Sequence, residues 1–145
     1  MKQFILLIAT ALCSISAFAT NPEVDPRVLA SFKTEFASAK EVTWSASEDF
    51  FKAEFIFNDQ YVSAFYSKEG ELIGLSRNIS SVDLPLNLQA GLKKAYGEYW
   101  ISNLIEVTRS NSTSYYITVE DADTELVLKA SAGEGWNLYR KTKKV

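Results

Sequence analysis

The residue types that most often carry catalysis are scarce in this chain. Its 145 residues contain no histidine and one cysteine, Cys13. Cys13 lies in an apolar leader that the sequence marks for removal. Imidazole acid–base chemistry and thiolate nucleophiles are therefore excluded. Carboxylates, serines and lysines remain. Paired carboxylates can hydrolyse glycosides, and two acidic clusters are present, Glu48-Asp49 and Glu120-Asp121-x-Asp123-x-Glu125. Both fall in predicted turns, where an Asp side chain bonds its own backbone, so solvated turns account for them. The second cluster offers oxygen ligands but lacks the spacing and glycine of a calcium loop. Zinc and copper sites usually recruit His or Cys. A Ser–Lys pair is conceivable, but nothing singles out one of the many serines. The sequence predicts no enzyme, no metal and no other cofactor.

What remains to position is aromatic surface, and the stretch that carries it is Phe50 to Ile79. Phe51, Ala53, Phe55 and Phe57 alternate with Lys52, Glu54 and Ile56, the period-2 pattern of a strand with one buried face. Asn58-Asp59 suits a two-residue hairpin turn with positive φ. That turn sets Gln60 opposite Phe57, Tyr61 opposite Ile56, Val62 opposite Phe55 and Ala64 opposite Ala53. Phe51, Ala53, Phe55, Val62, Ala64 and Tyr66 then share the core face, and a slip of one residue would exchange the faces. Lys68-Glu69-Gly70 makes a second turn, with Gly70 left-handed. A third strand follows, with Ile73, Leu75 and Ile79 alternating.

The opposite face is mixed. Ile56, Tyr61 and Phe65 lie there among charges, and in the second half alternation with Tyr115, Ile117 and Val119 places Tyr116 opposite the core. Such aromatics either cover a half-exposed sheet or form a binding surface. These four are the candidate contact residues.

The remaining elements frame this meander. Residues 1–19 read as a signal peptide: Lys2, the apolar run Phe4 to Ala11, then Ala17-Phe18-Ala19 as the cleavage pattern before Thr20. The run is too short to span a membrane as a mature helix, and the context of Cys13 is a poor lipoprotein signal. A soluble exported protein without a stable membrane anchor is expected, periplasmic or secreted. Without Cys13 it can form no disulfide. The whole chain carries a net charge of −3 and no basic stripe, which argues against nucleic acid. Its 47% hydrophobic content supplies a core and argues against disorder.

Residues 20–145 form one domain in two halves, about 25–80 and 81–140. Asp25-Pro26 opens a helix with Leu29, Phe32 and Phe36 on one face and Val28 beside them. Val42 and Trp44 point inward from a strand. After a linker at 80–83, Leu84-Pro85 opens a second helix bearing Leu84, Leu88, Leu92 and Ala95 or Tyr96. Gly91 weakens it or permits close packing. Trp100 to Arg109 is a strand with Ile101, Ile105 and Val107 as core candidates. Ser110 to Ser114 is a polar turn. Tyr115, Ile117 and Val119 alternate, as do Leu126, Leu128 and Ala130. Trp136 to Tyr139 is a last short strand, and Arg140 to Val145 a solvated basic tail. An offset of about 65 residues places Gly70 on Gly135, and the order of elements repeats. The fold class is α+β: a predominantly antiparallel sheet with two helices packed on one face, in two similar α-β-β-β-β halves.

The ordered combination Phe36-x-x-Ala39-x-x-Val42-x-Trp44, the Phe51–Phe57 strand, Tyr66 with Gly70, and Leu84-Pro85 resembles the PepSY-like, β-lactamase-inhibitor-like domain of exported bacterial proteins, over about residues 27 to 139. Where that family often has Pro after the aromatic matched by Phe36, this chain has Ala37. The resemblance implies a non-catalytic domain whose sheet face binds another protein. No functional residue of the family can be matched here. In a bacterial protein the Asn78-Ile79-Ser80 and Asn111-Ser112-Thr113 glycosylation patterns are incidental. The expected partner is an exported protein or peptide bound by the open sheet face. The alternative is a small-ligand or lipid carrier, using an apolar cleft between helices and sheet.

Overall fold

The computed structural model describes residues 22–145. The expected signal peptide lies outside the described residues. The elements run α1 (Pro26–Glu35), β1 (Lys40–Ala46), β2 (Phe50–Phe57), β3 (Gln60–Ser67), β4 (Leu72–Asn78), a 3-10 turn (Ser81–Asp83), α2 (Leu86–Tyr96), β5 (Trp100–Arg109), β6 (Ser112–Glu120), β7 (Thr124–Ser131) and β8 (Asn137–Lys143). The eight strands make one antiparallel sheet in sequence order. The α+β class and the repeated α-β-β-β-β halves are as expected.

Local chemistry sets each element. Asp25 caps α1 by accepting the Arg27 N–H at 2.8 Å, with Pro26 at the first turn. Asn58 and Asp59 both take positive φ, 50° and 61°, the twist a two-residue hairpin needs. The β2–β3 register follows: Ile56 pairs with Tyr61, Phe55 with Val62 and Ala53 with Ala64. Ser110 and Asn111 repeat the device with φ 46° and 64°. The turn is therefore those two residues, and Ser112–Ser114 already belong to β6.

Both helices cover the same face. Under α1, Val28 and Phe32 meet Phe51, Ala53, Phe55, Ala64 and Tyr66. Under α2, Leu84, Leu88 and Leu92 meet Leu104, Tyr115, Ile117, Val119, Leu126 and Leu128. The halves correspond with an offset of 60 through the helices, Val28 on Leu88 and Phe32 on Leu92. Through the meanders it is 64, Phe51 on Tyr115 and Ala64 on Leu128. An odd offset such as 65 would set inward residues on outward ones, because strand side chains alternate. The offset of 64 puts Gly70 (φ 97°) on Glu134, and the left-handed glycine of that turn is the residue before it, Gly133 (φ 85°), not Gly135.

Several expectations need correction. Leu29 is exposed, because Val28 and Phe32 take the buried side of α1. Val42 is exposed as well: Glu41 takes φ 54° and the β1–β2 register shifts between Lys40 and Thr43. Ile73 and Leu75 pack into different clusters, because a bulge between β3 and β4 sets Phe65 opposite Gly74 but Tyr66 opposite Leu72. Ile101 is exposed, and Ile105 and Val107 pack on the face away from the helices. The 80–83 linker contains the 3-10 turn, with Asp83 accepting the Ser80 N–H at 2.9 Å. The basic tail is largely β8, paired with β7 as far as Lys143 opposite Thr124.

Candidate functional site

The face opposite the helices carries a third apolar cluster. Phe50, Phe65, Ile105, Val107 and Tyr116 are buried in it, with Ile73 and Tyr139 against them. All seven are strand residues. The cluster exists because β4 is thin there. Gly74, opposite Phe65, has no side chain, and Ser76 is small. Phe65 therefore has room to lie over β4 toward Ile105 and Val107. Phe50 meets Phe65 edge-on at 5.7 Å, and Tyr116 meets Tyr139 edge-on at 5.6 Å.

The four candidate contacts separate into two pairs. Ile56 and Tyr61 are cross-strand partners beside the β2–β3 turn, and Tyr61 is 72% exposed. Phe65 and Tyr116 share the buried cluster, at 1% and 8% exposure. Strand alternation assigned all four to the correct face. It did not show that small residues on β4 let two of them bury one another.

Charges surround the cluster. Lys52 pairs with Glu54 at 2.8 Å, and Arg140 with Glu125 at 3.2 Å. Lys129 lies over the Tyr116 ring at 5.5 Å. Lys144 pairs with Glu120 at 2.6 Å and lies 4.6 Å over the exposed Trp100 ring. The Lys144 ammonium, followed by the Ser102 hydroxyl, holds the Glu120 carboxyl below its ordinary range. Backbone amides, Asp123 foremost, do the same for Asp121. The carboxylates of Glu120, Asp121 and Glu125 are thus engaged internally. Among the described residues, no group of three or more His, Cys, Asp or Glu is placed to hold a metal ion.

On the helix side, a cavity of about 290 Å³ opens between the two halves over the central strands, with Phe36, Phe57, Val62 and Leu75 in its wall. Arg77 and Glu106 face each other across β4 and β5 and pair at 2.8 Å. Arg77 also donates to Gln60 Oε1 at 2.9 Å. Sequence reading missed this pair, because it depends on the β4–β5 register and a helical connection intervenes. It also missed that β5 outruns its neighbour, although a ten-residue strand beside a seven-residue one is a sequence-visible signal.

No family model matches the sequence, and no curated protein matches it significantly. Solved structures do match. A BLIP-like protein from Bacteroides fragilis superposes with TM-score 0.70 at 15% identity, covering 82% of this chain and 85% of that one. A DUF2874 family protein from Bacteroides ovatus gives 0.73 at 18% identity, with 87% and 89% covered. A candidate periplasmic protein from Bacteroides eggerthii gives 0.73 at 13%, with 83% and 88% covered. At such identities the likeness establishes the fold, which is BLIP-like. Among the described residues no helix is long and apolar enough to cross a membrane.

Proposed function

We propose that this is an exported, non-catalytic binding or inhibitory module that engages a protein or peptide through the sheet face opposite the helices. One observation carries the reading: Tyr61 stands 72% exposed beside Ile56 on a face that, among the described residues, no helix covers. An exposed tyrosine beside an apolar cross-strand partner on a rigid sheet is a side chain of the kind interface hot spots favour. Ile56 and Tyr61 make the direct contacts, and Phe65 and Tyr116 lie in the buried cluster on the same face. The PepSY-like affiliation belongs to the same proposal and rests on the motif order from Phe36 to Leu84-Pro85. So does a periplasmic or secreted location, which the leader at 1–19 supports. The absence of histidine supports the non-catalytic reading.

The test is an affinity capture with the protein as bait against the exported proteins of its source. A stoichiometric partner that the untagged protein competes away, and that Tyr61→Ala releases, supports the reading. Unchanged capture by a folded Tyr61→Ala bait overturns the site. The cavity under Arg77 and Glu106 favours the second reading, a small-ligand or lipid carrier. A small molecule that co-purifies in native mass spectrometry, and is lost on Leu75→Trp, would support that reading instead.

A further inference from the structure

Among the described residues, the N-terminal part of β5 has no neighbour on its β4 side. β5 pairs with β6 from Trp100 to Arg109. On its other side β4 reaches only from Ile105 to Thr108. The Ile79 N–H then donates to the Leu104 carbonyl at 3.1 Å, and the chain turns away through the 3-10 turn. Among the described residues, no strand pairs with Trp100–Asn103 on the β4 side. Ser102 is also skipped by the β5–β6 register, which passes from Ile101 to Asn103. Its backbone groups are left over from that ladder, as at any bulge.

Two depressions meet at this edge, bordered in common by Ser81 and Ile101. One, of about 380 Å³, is lined by Asn78, Ser80 and Asn103. The other, of about 250 Å³, is lined by Leu92, Lys93, Tyr96 and Tyr99. Trp100 and Ile101 beside them are 52% and 43% exposed. The carboxamides of Asn78 and Asn103 make no hydrogen bond among the described residues, and Lys93 has no acidic partner among them. The outer edges of the sheet are blunted differently. β1 carries the left-handed Glu41, and β8 carries Arg140, Lys141 and Lys143, the devices that discourage strand addition.

We infer that the Trp100–Asn103 edge docks an extended peptide that carries an apolar and an acidic side chain two residues apart, on one face, with small polar residues between, added as a short strand beside β5. Main-chain hydrogen bonds supply the pairing in this mode, and alternate side chains read the pockets. The apolar side chain enters the Leu92–Tyr96–Tyr99 depression. The carboxylate two residues along shares that face and meets Lys93, and the small polar side chain between them points to the other face, toward Asn78 and Asn103. The edge is separate from the sheet face that carries Tyr61, so either reading can fail alone.

The test uses ¹⁵N-labelled protein and a capped peptide of about six residues in which valine and glutamate stand two apart with serine between them. Saturation should shift the amide signals of Trp100, Ser102 and Asn103 and slow their hydrogen exchange about tenfold or more. Ser102→Pro should weaken binding about tenfold. Lys93→Glu, on an exposed helix surface, should weaken it likewise, and the same peptide with lysine in place of each glutamate should bind that variant as the parent binds the first peptide. Equal binding of a peptide N-methylated at alternate residues overturns the proposal, because that ligand cannot pair. So does the absence of shifts at about 1 mM peptide, or shifts confined to β1, β8 or the face around Tyr61. Concentration-dependent shifts at the same amides without peptide overturn it too, since a second copy of the chain would then be the occupant.

Discussion

The Tyr66 hydroxyl donates a 2.8 Å hydrogen bond to a carboxylate oxygen of Glu35. The ring is fully buried under α1, while Glu35 ends that helix at the surface. The bond fastens the last turn of α1 to the C-terminal end of β3. Burial, then the neighbouring carboxylate, push the phenol well above its ordinary range, so it remains a donor at any working pH. A hydrogen bond to a charged group contributes about 1.5–3 kcal/mol. Tyr66→Phe should therefore lower stability to urea by about 1–2 kcal/mol. A double-mutant cycle with Glu35→Ala should return most of that as coupling. Additive losses would show that the two groups do not interact in solution.

Phe65 and Tyr61 share a face but should answer substitution in opposite ways. Phe65→Ala removes a ring that is 1% exposed and should cost about 3–5 kcal/mol through the cavity it leaves. Tyr61→Ala removes an exposed ring and should leave stability within about 0.5 kcal/mol of the parent. Urea unfolding of the two variants decides this. The contrast also dictates which variant can test binding, since Phe65→Ala mixes loss of contact with loss of fold.

These residues show how far the sequence could be read. The β2–β3 register was legible because Asn58-Asp59 fixes the turn and the turn fixes every pair after it. The cores under the helices were legible because period-2 and helical spacing converge on them. The bulges were not. A register shift at Glu41 exposes Val42, and one beside Phe65 sends Ile73 and Leu75 to different clusters. Bulges carry no strong residue signature, so alternation projected through them fails from that point on. The end of β8 was hidden for another reason. Arg140 to Lys143 lack apolar residues, and only pairing with β7 and ion pairs such as Arg140–Glu125 order them.

Gly70 and Gly133 are the left-handed glycines of the β3–β4 and β7–β8 turns, one position apart in the repeat. Both are left-handed, so alanine at either costs about 1 kcal/mol in backbone strain. A Cβ at Gly70 would also stand 3.1 Å from the Arg27 carbonyl carbon, whereas at Gly133 it meets nothing within 4 Å. Gly70→Ala should therefore be the more destabilising of the two in thermal melts. Equal losses would show that α1 can move away from the turn.

Gly91 should behave in the contrary way. Its backbone is helical, and an added Cβ would make an ordinary 3.6 Å contact with Trp136 Cδ1. Gly91→Ala should stabilise α2 by about 0.5–1 kcal/mol on helix propensity. Gly91→Leu should collide with the indole and break its 2.9 Å hydrogen bond to the Leu88 carbonyl. Trp136 fluorescence should then shift to the red as the ring is displaced. A stable Leu variant with unshifted emission would show that Trp136 does not lie over the helix.

Asp25 links α1 to pH. The Arg27 guanidinium, then the Arg27 backbone amide, hold its carboxyl at about 2, below an ordinary value of 3.8. A depressed acid stabilises the fold in its ionised form. Its contribution is therefore complete above about pH 4, is lost as pH falls toward 2, and is gone below that. Asp25→Ala should lower the thermal midpoint near neutral pH, and the gap to the parent should close across that acid window. Asp25→Asn keeps a capping oxygen without the charge. It should recover much of the lost midpoint at neutral pH, with no steep change below pH 4 from this site. A gap between the parent and Asp25→Ala that persists unchanged to pH 2 would show that the capping oxygen matters and its charge does not.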